Sequence, residues 1–310
     1  MNAVAEFPAL ANTQNLRQIE AEYDDETSTM FHWMKPVPRP CFNREILEEM
    51  ERFESRLAQH QGWIKHAGRE RKVDNIVFGS RTPGVFNLGG DLLLFMQAIL
   101  GKDRESLTYY ARLCVDIMFR RISGFGSALI SYSLVQGRAF GGGFECALAG
   151  EVIVAEKSST MSFPEVLFNM FPGMGALSLL GRRIGLRKAE EMMTSGQVYT
   201  AKQMYDVGVV DEIVEDGTGL QVTRALIKAR QRKSNSYRAL SLAKRAFQPV
   251  THAEMLAIVE IWVDAAMKLE THDLRMMSRL VKAQNKLAAS TQELDVVEQL
   301  FAPSSVVMNG

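Results

Sequence analysis

The chain is predicted to fold as an α/β layered core with a C-terminal helical appendage, and three observations carry that prediction. Short apolar runs alternate with helical patterns up to about residue 221, the runs end in glycine-bearing turns, and residues from Val222 onward pattern almost wholly as helix. The boundary is therefore expected between an α/β part, residues 1–221, and a helical part, residues 222–287. The weakly patterned tail, residues 288–310, is expected to be disordered.

Taken in order, Leu16 to Glu22 and Ser28 to Lys35 flank the acidic turn Tyr23-Asp24-Asp25-Glu26 and predict an opening β-hairpin. The Pro36 to Pro40 stretch ends the second strand, because proline offers no N–H to a ladder. Asn43 has the character of a helix N-cap, followed by Ile46, Leu47, Met50, Phe53 and Leu57 at helical spacing up to His60. Asp74 to Phe78 is expected to be a buried parallel strand, closed by the turn Gly79 to Gly84. Leu107 to Ile122 is patterned as a long amphipathic helix. Ala128 to Val135 and Val152 to Ala155 are further strands, with apolar pieces of a fourth in Val207 to Val214. Tyr237 to Phe247, Ala253 to Leu269 and Asp273 to Leu287 are the expected C-terminal helices.

Bulk composition excludes several classes. The 310 residues carry 36 basic and 36 acidic side chains, a formal net charge of zero, which argues against nucleic acid or an anionic membrane as partner. Nothing approaches the roughly 18 consecutive apolar residues of a membrane span. The acidic N-terminal region lacks the pattern of a signal peptide. Cys41, Cys114 and Cys146 have no metal-ligand spacing and read as reduced thiols of a cytoplasmic protein.

Chemistry concentrates in Val135 to Leu148, where a strand runs into Gly141-Gly142-Gly143 and then into a helix. Glycine lets a ligand approach the backbone, and the first N–H groups of a helix lack partners and favour negative charge. Such a turn suits a developing oxyanion. A phosphate loop and a purely structural turn are the other readings, although neither G-x-G-x-x-G nor a Walker lysine is present. Phe86-Asn87-Leu88-Gly89-Gly90-Asp91 is a second glycine turn; alone it reads as a plain strand–helix turn, and paired with the first it supplies a second donor. Glu145 falls in the first turn after the triplet, and Glu165 follows twenty positions later in Ser162-Phe163-Pro164-Glu165-Val166. The bulky apolar neighbours of Glu165 would desolvate its carboxylate and raise its pKa towards acid–base values. Read singly, each glutamate also has a plain structural explanation at a helix start.

In combination, the order G-G-D turn, G-G-G-x-E, P-E and P-G-x-G-A resembles the crotonase (enoyl-CoA hydratase/isomerase) superfamily over roughly residues 16 to 285. The segments Gly181 to Ala189, Gly196 to Ala201 and Gly208 to Val214 fit the same pattern. The resemblance implies a spiral of ββα units whose C-terminal helices cover an acyl site. It implies oxyanion donors at Gly90 and Gly142, an acid–base pair at Glu145 and Glu165, and no cofactor or metal. More narrowly, FNLGGDL (Phe86 to Leu92), GGGFE (Gly141 to Glu145) and PEVLFNMFPGMGA (Pro164 to Ala176) are similar to bacterial diffusible signal factor synthases. Segments Glu260 to Met267 and Arg279 to Gln284 extend that likeness. Arg138 and Phe140 depart from it, standing where smaller residues are expected.

That likeness implies a dehydratase and thioesterase in one site, turning a medium-chain 3-hydroxyacyl-ACP into a free cis-2-unsaturated fatty acid. Leu88, Gly89, Phe140 and Gly141 are the expected substrate contacts at the turns. Phe168, Met170, Phe171, Met174 and Trp262 are candidate walls of an acyl tunnel, with ordinary core packing as the alternative. The acyl carrier protein, with acyl-CoA as a second thioester source, is the implied partner. The receiver region of a sensor histidine kinase and homo-oligomeric assembly are implied further. Carrier docking calls for a basic face, for which Lys65, Arg69, Arg71 and Lys72, or Arg182, Arg183, Arg187 and Lys188, are candidates. An enoyl-CoA hydratase or isomerase without hydrolysis and a non-catalytic binding scaffold are the competing functions. The division of labour between the two glutamates stays open.

Overall fold

The computed structural model describes residues 16–285, so the expected disorder of 288–310 lies outside the described residues. The opening hairpin is present: β1 (Ile19–Asp24) pairs antiparallel with β2 (Thr29–Met34). Helix α1 (Arg44–Gln59) starts where predicted, and the Asn43 side chain accepts the Ile46 N–H. Such a cap is worth about 1 kcal/mol. A short hairpin, β3 (Trp63–His66) with β4 (Arg69–Lys72), follows. Its polar, four-residue strands gave no alternation long enough to read from sequence.

The strand expected at Asp74 to Phe78 is β5 (Asn75–Ser80), buried throughout and parallel to β2. The chain then forms β6 (Val85–Asn87), α2 (Leu92–Leu100) and the long α3 (Arg104–Ile122). Helix α2 is the helix that a strand–helix turn at Phe86–Asp91 leads into; its run Leu92-Leu93-Leu94-Phe95-Met96 is too uniformly apolar to show a face, and the Asp91 cap fixes its start. Next come β7 (Ile130–Val135), β8 (Arg138–Phe140) and α4 (Gly142–Leu148). Then follow β9 (Val152–Glu156), β10 (Thr160–Ser162), a 3-10 turn at Pro164–Phe168, α5 (Ala176–Ile184) and α6 (Leu186–Ser195). Strand β11 (Val198–Thr200), α7 (Ala201–Asp206) and β12 (Glu212–Val214) close the α/β part.

Besides the β3–β4 hairpin, two larger sheets result among the described residues, ordered β1-β2-β5-β7-β9-β12 and β11-β10-β8-β6. Successive strand pairs β5/β6, β7/β8 and β9/β10 each place one strand in either sheet and then return through helix, which is the repeating ββα unit. The second sheet escaped prediction because its strands have only three residues. Its consequence is functional: β6 and β8 lie parallel and adjacent, so the turns that follow them, Leu88–Gly90 and Gly141–Gly142, emerge side by side.

Helix α8 (Gly219–Gln231) lies on the outer face of the large sheet, with Ile227 packed among Leu134, Val154 and Val214. Helices α9 (Ser234–Phe247), α10 (His252–Ala266) and α11 (271–285) follow, in line with the helical C-terminal reading. The main core fills the opposite side, where α10 brings Trp262 and Val263 against Phe95 and Met118. No described helix is long and apolar enough to cross a membrane.

Candidate active site

The two glycine turns are in direct contact. A side chain at Gly89 would overlap the Phe140 carbonyl and the Gly142 N–H, at 2.8 and 2.9 Å, and φ is +91° there. A Cβ on Gly142 would stand only 3.6 Å from the Gly90 nitrogen, so the two N–H groups belong to one small space. Gly142 is the first residue of α4, where helical geometry supplies no acceptor. Among the described residues neither the Gly90 nor the Gly142 N–H donates to a backbone carbonyl.

The first turn is held from three sides. Phe42 N–H donates to the Gly89 carbonyl at 2.7 Å and Leu88 N–H to the Pro40 carbonyl at 2.8 Å, so Pro40–Phe42 runs beside it like a short strand. Gly89 N–H is tied to the Asn87 side chain at 2.8 Å. Arg39 donates to Asp91 at 2.9 Å, and Asp91 in turn caps α2. Arg39 was not recognised in the sequence, because its partner lies 52 positions away and no local pattern marks it.

Both glutamates line the same cavity. Glu145 is buried, and its Oε1 accepts the N–H groups of Met174 (2.8 Å) and Ala176 (3.0 Å). Burial pushes its carboxyl up to about 7, against the lowering effect of those backbone donors. Glu165 follows Pro164 in the 3-10 turn, and its Oε2 is buried without a hydrogen-bond partner among the described residues. Burial, followed by the nearby Glu145 charge, pushes Glu165 up to about 8. The pair therefore holds one proton near neutrality, and the backbone donors make Glu145 the better seat for the charge.

Of the residues expected at the site, Gly90, Gly142, Glu145, Glu165, Phe168, Met174 and Trp262 line the cavity. Leu88, Gly89, Phe140, Gly141, Met170 and Phe171 do not. Gly89, Gly141 and Phe140 form the backs of the two turns, and Leu88 is buried with its carbonyl accepting from Gln284 at 3.4 Å. Met170 is buried in the main core and Phe171 packs half-buried against it, after a turn at Asn169 with φ +60°. The remaining wall comes from residues that sequence reading passed over, notably Phe95, Tyr110, Cys114, Met118 and Arg121. Four of these lie on α3, whose amphipathic pattern was seen without its role.

The two candidate basic clusters contain side chains with partners of their own. Arg182 bonds Glu254 at 2.8 Å, and Arg183 donates to the Gly150 carbonyl, so both serve internal contacts. Arg71 pairs with Asp25 at 2.5 Å, while Lys65 and Arg69 lie along the β3–β4 hairpin. Among the described residues no group of His, Cys, Asp or Glu side chains could hold a metal ion.

Comparison with known proteins accords with this fold. A family model described as enoyl-CoA hydratase/isomerase matches residues 61–278. The enoyl-CoA isomerase/hydratase fer4 of Mycosarcoma maydis is 33% identical over 143 residues, 46% of this chain and 52% of that protein, so the match spans about half the relative's length. Human mitochondrial delta3-delta2-enoyl-CoA isomerase superposes with a TM-score of 0.71 at 18% identity, over 87% of this chain and 99% of the other. The enoyl-CoA hydratase of Bacillus halodurans gives 0.69 at 16% identity, over 85% and 100%. DspI of Pseudomonas aeruginosa gives 0.60 at 19%, over 84% and 98%. At these identities the structures attest a shared fold.

Proposed function

The chain belongs to the enoyl-CoA hydratase/isomerase family, and we propose that it is a dehydratase and thioesterase for medium-chain 3-hydroxyacyl-ACP, releasing a cis-2-unsaturated fatty acid of the diffusible signal factor type. The observation that carries this reading is the convergence of Glu145 and Glu165 on one apolar cavity beside the N–H groups of Gly90 and Gly142. The motifs FNLGGDL, GGGFE and PEVLFNMFPGMGA favour the signal-factor branch over the wider family.

The thioester oxygen would accept both N–H groups, which stabilises the enolate formed when the C2 proton leaves. One ionised carboxylate takes that proton, and the protonated one gives its proton to the C3 hydroxyl, which departs as water. In the ligand-free site those states fall to Glu145 and Glu165 respectively. Hydrolysis uses the same hole: a carboxylate takes a proton from water as the water oxygen bonds to the carbonyl carbon, and the C–S bond then breaks as that proton is returned to the leaving sulfur, releasing the carrier thiol and the free acid. An enoyl-CoA hydratase or isomerase without hydrolysis is the second reading, favoured by the name of the 33% identical relative.

Incubation of the purified protein with 3-hydroxyacyl-ACP and, separately, acyl-CoA, followed by mass spectrometry, tests the proposal. Free cis-2-enoic acid from the ACP substrate is the expected product. Enoyl thioester without free acid would establish the second reading instead.

A further inference from the structure

At the inner end of the cavity one charged side chain, Arg121, joins the apolar lining of Leu47, Met50 and Ile117, and it is held there by Glu54. Arg121 and Glu54 are 1% and 0% exposed, and the guanidinium straddles the carboxylate with Nε–Oε contacts of 3.1 and 3.2 Å and an Nη2–Oε1 contact of 2.5 Å. Nη1 donates to the Cys146 sulfur at 2.9 Å, and the Cζ atom stands 3.7 Å from the centroid of the Phe78 ring. Arg121 itself lines the cavity.

Helix α3 gives the cavity its length. Tyr110, Cys114, Ile117, Met118 and Arg121 all line it, spaced as one face of the helix. Tyr110 marks the oxyanion end, since its hydroxyl donates to the Phe42 carbonyl beside Gly90. Gly90 and Gly142 are partly exposed, whereas Arg121, Glu54 and Met50 are buried, so the cavity opens at the turns and is blind at the ion pair. Arg121 stands eleven residues beyond Tyr110, about 16 Å at 1.5 Å per residue. Three bonds of an extended chain cover about 3.5 Å, so a straight chain of at most about 14 bonds fits that length.

We infer that Arg121, fixed by Glu54, is the floor of the acyl cavity and sets the longest chain the protein accepts, restricting its substrates to acyl groups of at most about 14 bonds with a plain hydrocarbon end. This rests on the acyl-thioester reading above. A methionine wall yields to a longer ligand by changing rotamer. A buried ion pair does not yield that way, because a methylene pushed between its members strands both charges without water. An apolar chain end resting against the pair gains burial without that penalty. Sequence reading had no signal for this floor, since Arg121 and Glu54 are 67 positions apart.

The test measures binding of straight-chain saturated fatty acids of about eight to about eighteen carbons, a range that brackets the limit set by extended-chain length. Affinity for the wild-type protein is expected to rise about fourfold per methylene up to the limit and then stop rising. In the R121L/E54L variant, which removes both charges together and shortens both side chains, the break is expected to move outward by about two to three carbons, the length of chain freed. A folded variant with an unmoved break, or a wild-type affinity that climbs straight through the limit, overturns the inference. R121M/E54M keeps more of the volume and serves where R121L/E54L does not fold. Unfolding of both would assign the pair to stability and overturn its role as a ruler. Binding needs no turnover, so a length break without product from any thioester sinks the proposed reaction and leaves the floor standing. Product without a length break does the reverse.

Discussion

The Glu165 carboxylate rests against the Cα of Gly141, in the space that a side chain at position 141 would occupy. The first glycine of the triplet therefore serves a residue twenty-four positions later, while the second supplies a candidate oxyanion donor. Gly141 also has φ +53° and ψ −127°, a conformation unfavourable for any residue with a Cβ.

Gly141→Ala is accordingly expected to displace the Glu165 carboxylate and lower turnover about a hundredfold, the scale of a misplaced reacting group. Thermal melting should show a loss of about 1–3 kcal/mol from the strained backbone. Turnover within a fewfold of wild type would remove Glu165 from the reaction or show that its position is unconstrained.

Each glutamate is expected to be indispensable. Glu145→Ala and Glu165→Ala should each lower release of cis-2-enoic acid by about 10²–10⁴-fold, the usual contribution of a positioned acid or base. Glu165→Gln should melt no lower than wild type, because it replaces a poorly solvated acid by a neutral group of the same shape. Circular dichroism with product analysis separates the two effects, and wild-type-like yield from either alanine variant sinks the mechanism.

With the pair pushed up to about 7 and about 8, the active, singly protonated state peaks between those values. Below about 7 both carboxyls hold protons and no base remains; above about 8 both are ionised and no acid remains. A bell-shaped kcat/KM profile centred there is the expected result. Stability follows the same protons. Both carboxyls rise from 4.5 on folding, so the native state binds protons more tightly and loses stability as pH climbs from about 4.5 through about 8. Urea unfolding at several pH values should show that decline, reduced in Glu165→Gln; a profile rising over this window would contradict the burial of the pair.

Arg39 is a positioning residue for the first turn. Arg39→Met should loosen the Asp91 cap and the Gly90 N–H, lowering kcat about ten- to hundredfold, as small misplacements do. KM should change little, because Arg39 is not part of the cavity lining. A rise in KM with unchanged kcat would assign Arg39 to carrier binding instead. Restoration by Arg39→Lys would favour charge over the fork geometry of arginine.

Several features were fully determined by local sequence. The opening hairpin, the Asn43-capped α1, the buried β5, β7 and β9 and the helical C-terminal region follow from periodicity, caps and breakers acting over a few residues. The two glutamates and two glycine turns could be read from their order along the chain. What the tertiary structure decided is their meeting. Three-residue strands β6 and β8, too short to announce themselves, bring the turns together, and backbone donors from Met174 and Ala176 distinguish Glu145 from Glu165. The cavity wall on α3, the Arg39–Asp91 clamp and the Arg121–Glu54 floor depend on partners tens of residues apart. Such pairings are selected by burial and electrostatics in the folded state, where a lone charge is costly and a paired one tolerated, and no local pattern encodes them.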